Sequence, residues 1–270
     1  MTSIMGRSKT EKALAFVLGI ILIGCLIQAA GQFKNDRLVF PDVLEILRAF
    51  FRLITASHTY RLIWTTLRHL LIALVISTLI GVPIGLAEGF SDFVRLLFRP
   101  LMVMLRSIPM VVLVVIIMVL TKYERVPVIG TSLILIPIIS EAACEGCRRI
   151  DTELVDVYRL NSGFNIQVLF SVYLPMMTGY LKQAYISSVG MGVKLVVSTE
   201  YLVQTRNSLG KAINSSVYFN EYQDIYAYAL IMILLVVLVG ELPIWIGRLK
   251  EKNNPGGKDE AEDFRNHRRS

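Results

Sequence analysis

Charged residues and the residues that build metal and disulfide sites are scarce in this sequence. Asp, Glu, Lys and Arg make up 18% of its 270 residues, whereas a soluble domain carries about 25%. Only three cysteines and three histidines are present. Cys144 and Cys147 form a Cys-x-x-Cys, but no second Cys or His pair accompanies them. We therefore expect the cysteines to serve packing, with a metal or redox role as the alternative, and we expect no metal site.

Motifs of nucleotide binding and hydrolysis are also missing. There is no Gly-x-x-x-x-Gly-Lys-Ser/Thr, so the chain does not bind ATP through a P-loop. There is no Gly-x-Ser-x-Gly and no His-Glu-x-x-His. The net charge is +7, but aromatic and basic residues are not interleaved as in nucleic-acid binding. We expect no catalytic residue, no cofactor on this chain and no nucleic-acid partner.

Long apolar runs are what the sequence has instead. Residues 13–31 and 70–87 are uncharged over nineteen and eighteen positions, and about 20 helical residues cross a bilayer core. Because backbone groups in lipid must be hydrogen-bonded internally, these runs are helices. We predict an all-α membrane protein with about six spans, at 13–31, 66–88, 98–121, 126–147, 172–203 and 223–247.

The distribution of Lys and Arg favours both termini on the cytoplasmic side. This orientation gives a cytoplasmic N-terminus (1–12), a transmembrane domain (13–247) and a polar cytoplasmic tail (248–270), which is predicted to be disordered. Segment 32–60 is predicted to include an amphipathic helix on the outer surface. The fifth span is interrupted by Lys182, Lys194 and Glu200, so a surface segment with snorkelling lysines is its alternative.

The longest inner loop, about 148–171, has the pattern of a helix, a glycine turn and a second helix. Asp151 is a suitable N-cap, and Gly163 can end the first helix. Pro175 cannot donate a backbone hydrogen bond, so we expect a break or kink there. From the pattern alone, this loop is either an amphipathic helix on the inner leaflet or a helix that docks into the groove of a partner.

The stretch "DTELVDVYRLNSGFNIQVLFSVYLP" resembles the coupling loop of type I ABC importer permeases. The family pattern is Glu-Ala-Ala, three residues, Gly, an apolar stretch, then Leu-Pro. Counted back from Pro175, Ser162 stands at the family's Gly position and Asp156 at its Glu position. Val157 and Tyr158 replace the two alanines, and Gly163 comes one place late. The Glu-Ala-Ala at 141–143 does not fit this spacing.

Three further landmarks resemble the same family, in the family's order. They are "TTLRHLLIALVISTLIGVPIGLAEG", "FRPLMVMLRSIPMVVLVVIIMVL" and Glu200. The nearest subgroup serves nitrate, sulfonates, taurine and thiamine-precursor pyrimidines. The resemblance implies a non-catalytic permease subunit in a bacterial inner membrane. Its partners would be a second permease chain, two ATPase subunits that carry ATP and Mg, and an extracytoplasmic solute-binding protein.

The resemblance also implies roles for single residues. The ATPase-facing residues would be Asp156, Val157, Tyr158, Arg159, Ser162 and Gly163. Leu174 and Pro175 would set the angle of the following helix. Ionisable residues in apolar spans are functional candidates, and for an anionic solute Arg106 and Lys194 are the path candidates. Arg106 could instead cap carbonyls freed where the helix breaks at 107–109, or pair with Glu200 in the core.

Two other classes of protein stay open at this point. An ion-coupled secondary transporter would also have six spans and intramembrane charges, although it often shows an internal repeat, and none is evident here. A membrane scaffold would need no polar path, so the polar residues of the fifth span would all be packing contacts. Co-purification of an ATPase separates the importer permease from both.

Overall fold

A computed structural model describes residues 41–149 and 173–241, and in these two ranges the chain is helical without a β-strand. A 3₁₀ turn at Tyr123–Arg125 precedes the fifth helix, and a π-helical turn at Val237–Glu241 follows the last. The helices are α1 (Val43–Thr55), α2 (Ser57–Phe90), α3 (Asp92–Ser107), α4 (Met110–Leu120), α5 (Val126–Arg148), α6 (Leu174–Val203), α7 (Leu209–Tyr218) and α8 (Tyr222–Val236).

Four segments of the described residues are long and apolar enough to cross a membrane: Ser57–Phe90, Tyr123–Arg148, Leu174–Val203 and Tyr222–Gly240. They agree with the predicted second, fourth, fifth and sixth spans, although α2 begins nine residues before the predicted 66. The predicted first span, 13–31, lies outside the described residues.

The predicted third span, 98–121, is not one straight helix. It is divided between α3 and α4, whose axes are bent by 103°. Pro109 has no backbone N–H, and the residue before a proline is driven out of the helical region. Ile108 accordingly has φ −67° and ψ 127°. The break predicted at 107–109 is therefore confirmed, and the predicted span 98–121 is a bent pair of helices.

The amphipathic helix predicted within 32–60 is α1. The Asp42 N–H donates to Glu45 Oε2 at 3.2 Å and closes the first turn. Ile46 and Ala49 form its buried face, and near its other end Arg52 forms an ion pair with Asp224 of α8. Helix α1 is thus attached to the start of the last span.

The helices α2, α5 and α6 form the centre of the fold. Gly81, Gly85 and Gly89 lie at four-residue spacing on the face of α2 that contacts α5, so these two backbones approach closely. We name the end with α1 and α7 the outer end and the end with Phe90 and Arg148 the inner end, after the orientation predicted from the basic residues. The apolar cluster at the outer end joins α2, α6, α7 and α8 through Leu62, Leu70, Val193, Val196, Val197, Leu209, Tyr228, Ile231 and Leu235.

Candidate translocation path and coupling region

A cavity of about 540 Å³ opens between α2, α3 and α5 near the inner end, and we name it the inner cleft. Its charged lining residues are Glu88, Asp92, Arg95, Arg99, Arg106, Glu141 and Glu145. Ionisable side chains within membrane-spanning segments cost free energy, so those that occur usually line a solute path or pair with one another. The inner cleft therefore has the side chains needed to bind a polar solute, and the pairing of its charges decides which ones are free to do so.

Arg106 is bound to α5. Its Nη2 donates to the Pro137 carbonyl oxygen at 2.9 Å and to Glu141 Oε2 at 2.5 Å. Arg106 stands in the last turn of α3, just before the Ile108–Pro109 break, so these bonds hold the bend against α5. The suggested pairing of Arg106 with Glu200 is wrong, because Glu200 bonds to other groups at the outer end.

Glu88 is the most deeply buried carboxylate of the cleft, with 6% of its surface exposed. It accepts one hydrogen bond, from Ser140 Oγ at 3.2 Å. At the cleft rim, Arg148 donates to Asp92 at 2.7 Å. Arg95 and Arg99 line the cleft, and no carboxylate within the described ranges forms an ion pair with either. Neither guanidinium group is held in a direct ion pair among the described residues, although Arg95 is close enough to Glu88 and Asp92 to interact with them electrostatically.

Glu200 is at the centre of a buried polar network at the outer end. The carboxylate is fully buried and accepts hydrogen bonds from Thr66 Oγ1 at 2.8 Å and from the Gly210 N–H at 3.3 Å. His69 Nδ1 lies 2.8 Å from its other oxygen. The Leu209 N–H donates in turn to Thr66 Oγ1 at 3.1 Å. The network fastens α2, α6 and the start of α7 together, which is a structural position rather than a lining one.

The two lysines of the fifth span lie apart from the inner cleft. Lys194 is exposed on α6. Lys182 lines a separate apolar groove between α2 and α6. Neither is among the residues that line the cleft, so Arg106 and Lys194 do not form one site within this chain. The sequence also did not single out Glu88, Thr66 or His69, although each is a polar residue in an otherwise apolar helix.

The chain leaves α5 and enters α6 at neighbouring points of the inner end. A Cβ built on Gly146 would stand 3.0 Å from Met177 Cγ. Tyr173 packs edge-on against Phe90, with ring centroids 5.0 Å apart. Leu174 and Pro175 form the first turn of α6, where a proline needs no N–H partner. Tyr173 is itself in a helical conformation and the residues before it lie outside the described ranges, so the break or kink expected at Pro175 stays a prediction.

The six residues predicted to face an ATPase (Asp156, Val157, Tyr158, Arg159, Ser162 and Gly163) lie outside the described residues. The segment that carries them is anchored at both ends to α5 and α6. Because those helix ends pack together, a force on the segment acts on two membrane-spanning helices at once.

The Cys-x-x-Cys pair is buried in α5. Cys144 and Cys147 are 4% and 6% exposed and are free thiols. The Cys147 side chain fills the space in front of Gly89 of α2. No group of three His, Cys, Asp or Glu side chains in 41–149 and 173–241 could hold a metal ion. In the structure, the pair contributes to packing between helices.

Residues 77–252 match the family of binding-protein-dependent transport system inner membrane components. The match begins in α2, includes the inner cleft and extends over the whole inner loop. The chain belongs to this family. It is a membrane-embedded, multi-pass permease subunit of an ABC importer. Members of this family are components of transport systems, and the match gives no support to the alternatives of an ion-coupled transporter or a membrane scaffold.

A solved structure shows the same fold. The chain is similar to one chain of the MetNI methionine ABC transporter in an inward-facing conformation, with a TM-score of 0.61. The two share 19% identity over 70% of this chain and 94% of that one. At this identity the similarity supports the fold and not the solute. No curated protein matches the chain.

Proposed function

We propose that this permease pairs with a second permease chain and couples two ATPase subunits to a solute path, receiving its solute from an extracytoplasmic binding protein in a bacterial inner membrane. ATP and Mg would be bound by the ATPase subunits, and both termini of this chain would be cytoplasmic. The observation that carries the proposal is the packing of Gly146 against Met177, which unites the two ends of the coupling loop.

In the proposed mechanism, the inner loop moves the two helices that it connects, α5 and α6, as rigid bodies. Closure of the ATPase pair would move the loop through Asp156, Val157, Tyr158, Arg159, Ser162 and Gly163. Leu174 and Pro175, in the first turn of α6, would pass that movement to α6, and the close contact at Gly146 would pass it to α5. Rigid-body switching of packed helices between two states is an established means of alternating access.

We propose a small solute, with an anion as the preferred class. Support comes from Arg95 and Arg99, which line the inner cleft and form no direct ion pair among the described residues, with Arg95 in electrostatic range of Glu88 and Asp92. Arg106 is the weaker candidate for direct contact, since Glu141 already compensates its charge. The choice among nitrate, sulfonates, taurine and pyrimidines rests on the resemblance alone.

The test is purification of the tagged chain from its native membrane, with ATPase assay and mass spectrometry. Wild type is compared with Asp156→Arg plus Ser162→Arg, and the control is Asp259→Arg plus Ser270→Arg in the polar tail. We expect an ATPase subunit with wild type and with the control, and its loss from the loop variant. Absence of an ATPase from folded wild-type protein would contradict the proposal, and retention by the loop variant would contradict the assigned contact residues.

A further inference from the structure

A second polar cavity, of about 370 Å³, lies at the outer end between the start of α2, the turn at 204–208 and α7. We name it the outer pocket. Three basic side chains line it, and no carboxylate does. Its lining residues are His58, Leu62, Arg206, Asn207, Ser208, Lys211, Ala212 and Ser215.

The turn that carries Arg206 has a defined conformation. Gln204 and Asn207 adopt positive φ angles of 54° and 53°, and Gln204 ends α6 in the left-handed conformation. Ser208 Oγ donates to the Thr205 carbonyl at 2.7 Å and accepts from the Lys211 N–H at 3.2 Å. Arg206 is exposed at this turn, so its guanidinium is presented to a partner by an ordered backbone.

The basic side chains of the pocket are accessible from the surface. His58 and Arg206 are exposed, and Lys211 is half-buried. Within the described ranges no ion pair occupies Arg206 or Lys211. Two uncompensated cations in one concave site favour an anionic group and steer its approach.

The outer pocket adjoins the Glu200 network through Ser208. Ser208 precedes Leu209 and Gly210, whose N–H groups donate to Thr66 and Glu200. A group bound at Arg206 and Lys211 therefore contacts the same turn that fastens α7 to α2 and α6. The outer pocket is therefore connected to two membrane-spanning helices, α2 and α6, through a few covalent bonds and two hydrogen bonds.

We propose that the outer pocket is a docking site for an Asp or Glu side chain on the solute-binding protein. The proposal rests on the proposed function, which places that protein at the outer end. The reason is charge complementarity: a pocket with basic and no acidic lining matches an acidic side chain on the partner. Carboxylate–guanidinium bonds are strong and directional.

The first step of the test identifies the partner group. Benzoylphenylalanine is introduced at Asn207, at the pocket rim, and cross-linked in native membranes. Mass spectrometry is expected to find an exported solute-binding protein, linked next to an Asp or Glu. A link to a peptide without acidic residues would overturn the proposal.

The second step measures docking on the complete complex in nanodiscs, with the purified binding protein from the first step. The pocket variant is Arg206→Glu plus Lys211→Glu. The matched control is Arg61→Glu plus Lys122→Glu, which makes the same charge change at exposed outer residues that do not line the pocket. The quantity compared is the concentration of binding protein that gives half-maximal ATPase stimulation.

For the pocket variant we expect this concentration to rise by about tenfold or more, and its dependence on salt to weaken, because reversing an interfacial charge changes association and salt sensitivity together. The control is expected to change by less than about twofold. Exchanging the cross-linked Asp or Glu of the binding protein for Lys should restore stimulation of the pocket variant, which a merely misfolded variant would not show.

Equal stimulation of the pocket variant and the control would overturn the docking proposal. Normal stimulation with lost solute uptake would also overturn it, and would assign the pocket to the solute. The ATPase content of the wild-type complex keeps the two proposals apart. If ATPase is present and stimulation is unaffected by the pocket variant, docking at this site fails while the permease function stands.

Discussion

Gly85 of α2 lies directly against the backbone of Ser140 of α5. A Cβ built on Gly85 would stand 2.2 Å from the Ser140 carbonyl oxygen and 2.7 Å from Ala143 Cβ. A Cβ built on Gly81 would stand 3.0 Å from the Ile136 carbonyl oxygen, and one built on Gly89 would stand 2.6 Å from Cys147 Cβ, both on the same helix. Without a hydrophobic driving force in lipid, close backbone packing is a main source of helix association. This contact also forms one wall of the inner cleft, since Ser140 bonds to Glu88 there.

Gly85→Ala is predicted to destabilise the protein strongly, because its methyl group meets backbone atoms that cannot rotate away. Overpacking of this kind costs about 1–3 kcal/mol or more. The control is Gly179→Ala in α6, where no atom lies within 4 Å of the added Cβ. That change should be neutral or stabilise by up to about 1 kcal/mol through helix propensity. Thermal unfolding in detergent should rank the two in this order, and equal unfolding temperatures would contradict the close contact.

Glu200→Ala is predicted to destabilise the outer end, because Thr66 and the Gly210 N–H lose their acceptor in a buried site. Leaving buried donors without partners and removing one member of a buried polar network costs about 2–5 kcal/mol. Glu124→Ala, at an exposed acid in the turn before α5, should change stability by less than about 0.5 kcal/mol. The check is thermal unfolding, together with hydrogen exchange of residues 204–212. Unchanged exchange in that turn would show that Glu200 does not hold α7.

The sequence was sufficient where the deciding chemistry is local. Proline geometry predicted the break at Pro109, and the apolar runs predicted the second, fourth, fifth and sixth spans near their observed bounds. The 103° angle between α3 and α4 was not predictable, since a hydropathy pattern indicates how long an apolar segment is and not the direction of its helix axis. The partner of Arg106 was not predictable either. Glu141 and Glu200 both stand in apolar spans, and the choice between them depends on helix rotation and height, which only tertiary packing sets.

Buried cysteines give a prediction about reactivity. Cys147 is enclosed among α2, α5 and α6, so in a Cys25→Ala variant of the native complex it should resist alkylation by a maleimide, whereas Cys144 is buried but lines the inner cleft. After unfolding in detergent both thiols should react. Mass spectrometry of the tryptic peptides gives the extent at each site. Rapid alkylation of Cys147 in the folded protein would contradict its packing role and would reopen the redox alternative for this pair.

Arg106→Ala is predicted to slow transport without preventing assembly. Arg106 holds the α3–α4 bend against α5 through Pro137 and Glu141, and both groups of the ion pair are partly exposed. Partly exposed pairs contribute little to stability because solvent screens them, so the substitution should mainly impair the positioning of the bend.

Arg148→Ala is the matched control, because it breaks another Arg–carboxylate pair between α5 and α3, at the cleft rim. Solute uptake per assembled complex should fall for Arg106→Ala and stay near wild type for Arg148→Ala. Glu141→Gln should resemble Arg106→Ala if the pair positions the bend. If Arg106→Ala alone impairs uptake, the guanidinium contacts the solute and Arg106 rejoins Arg95 and Arg99 as part of the path.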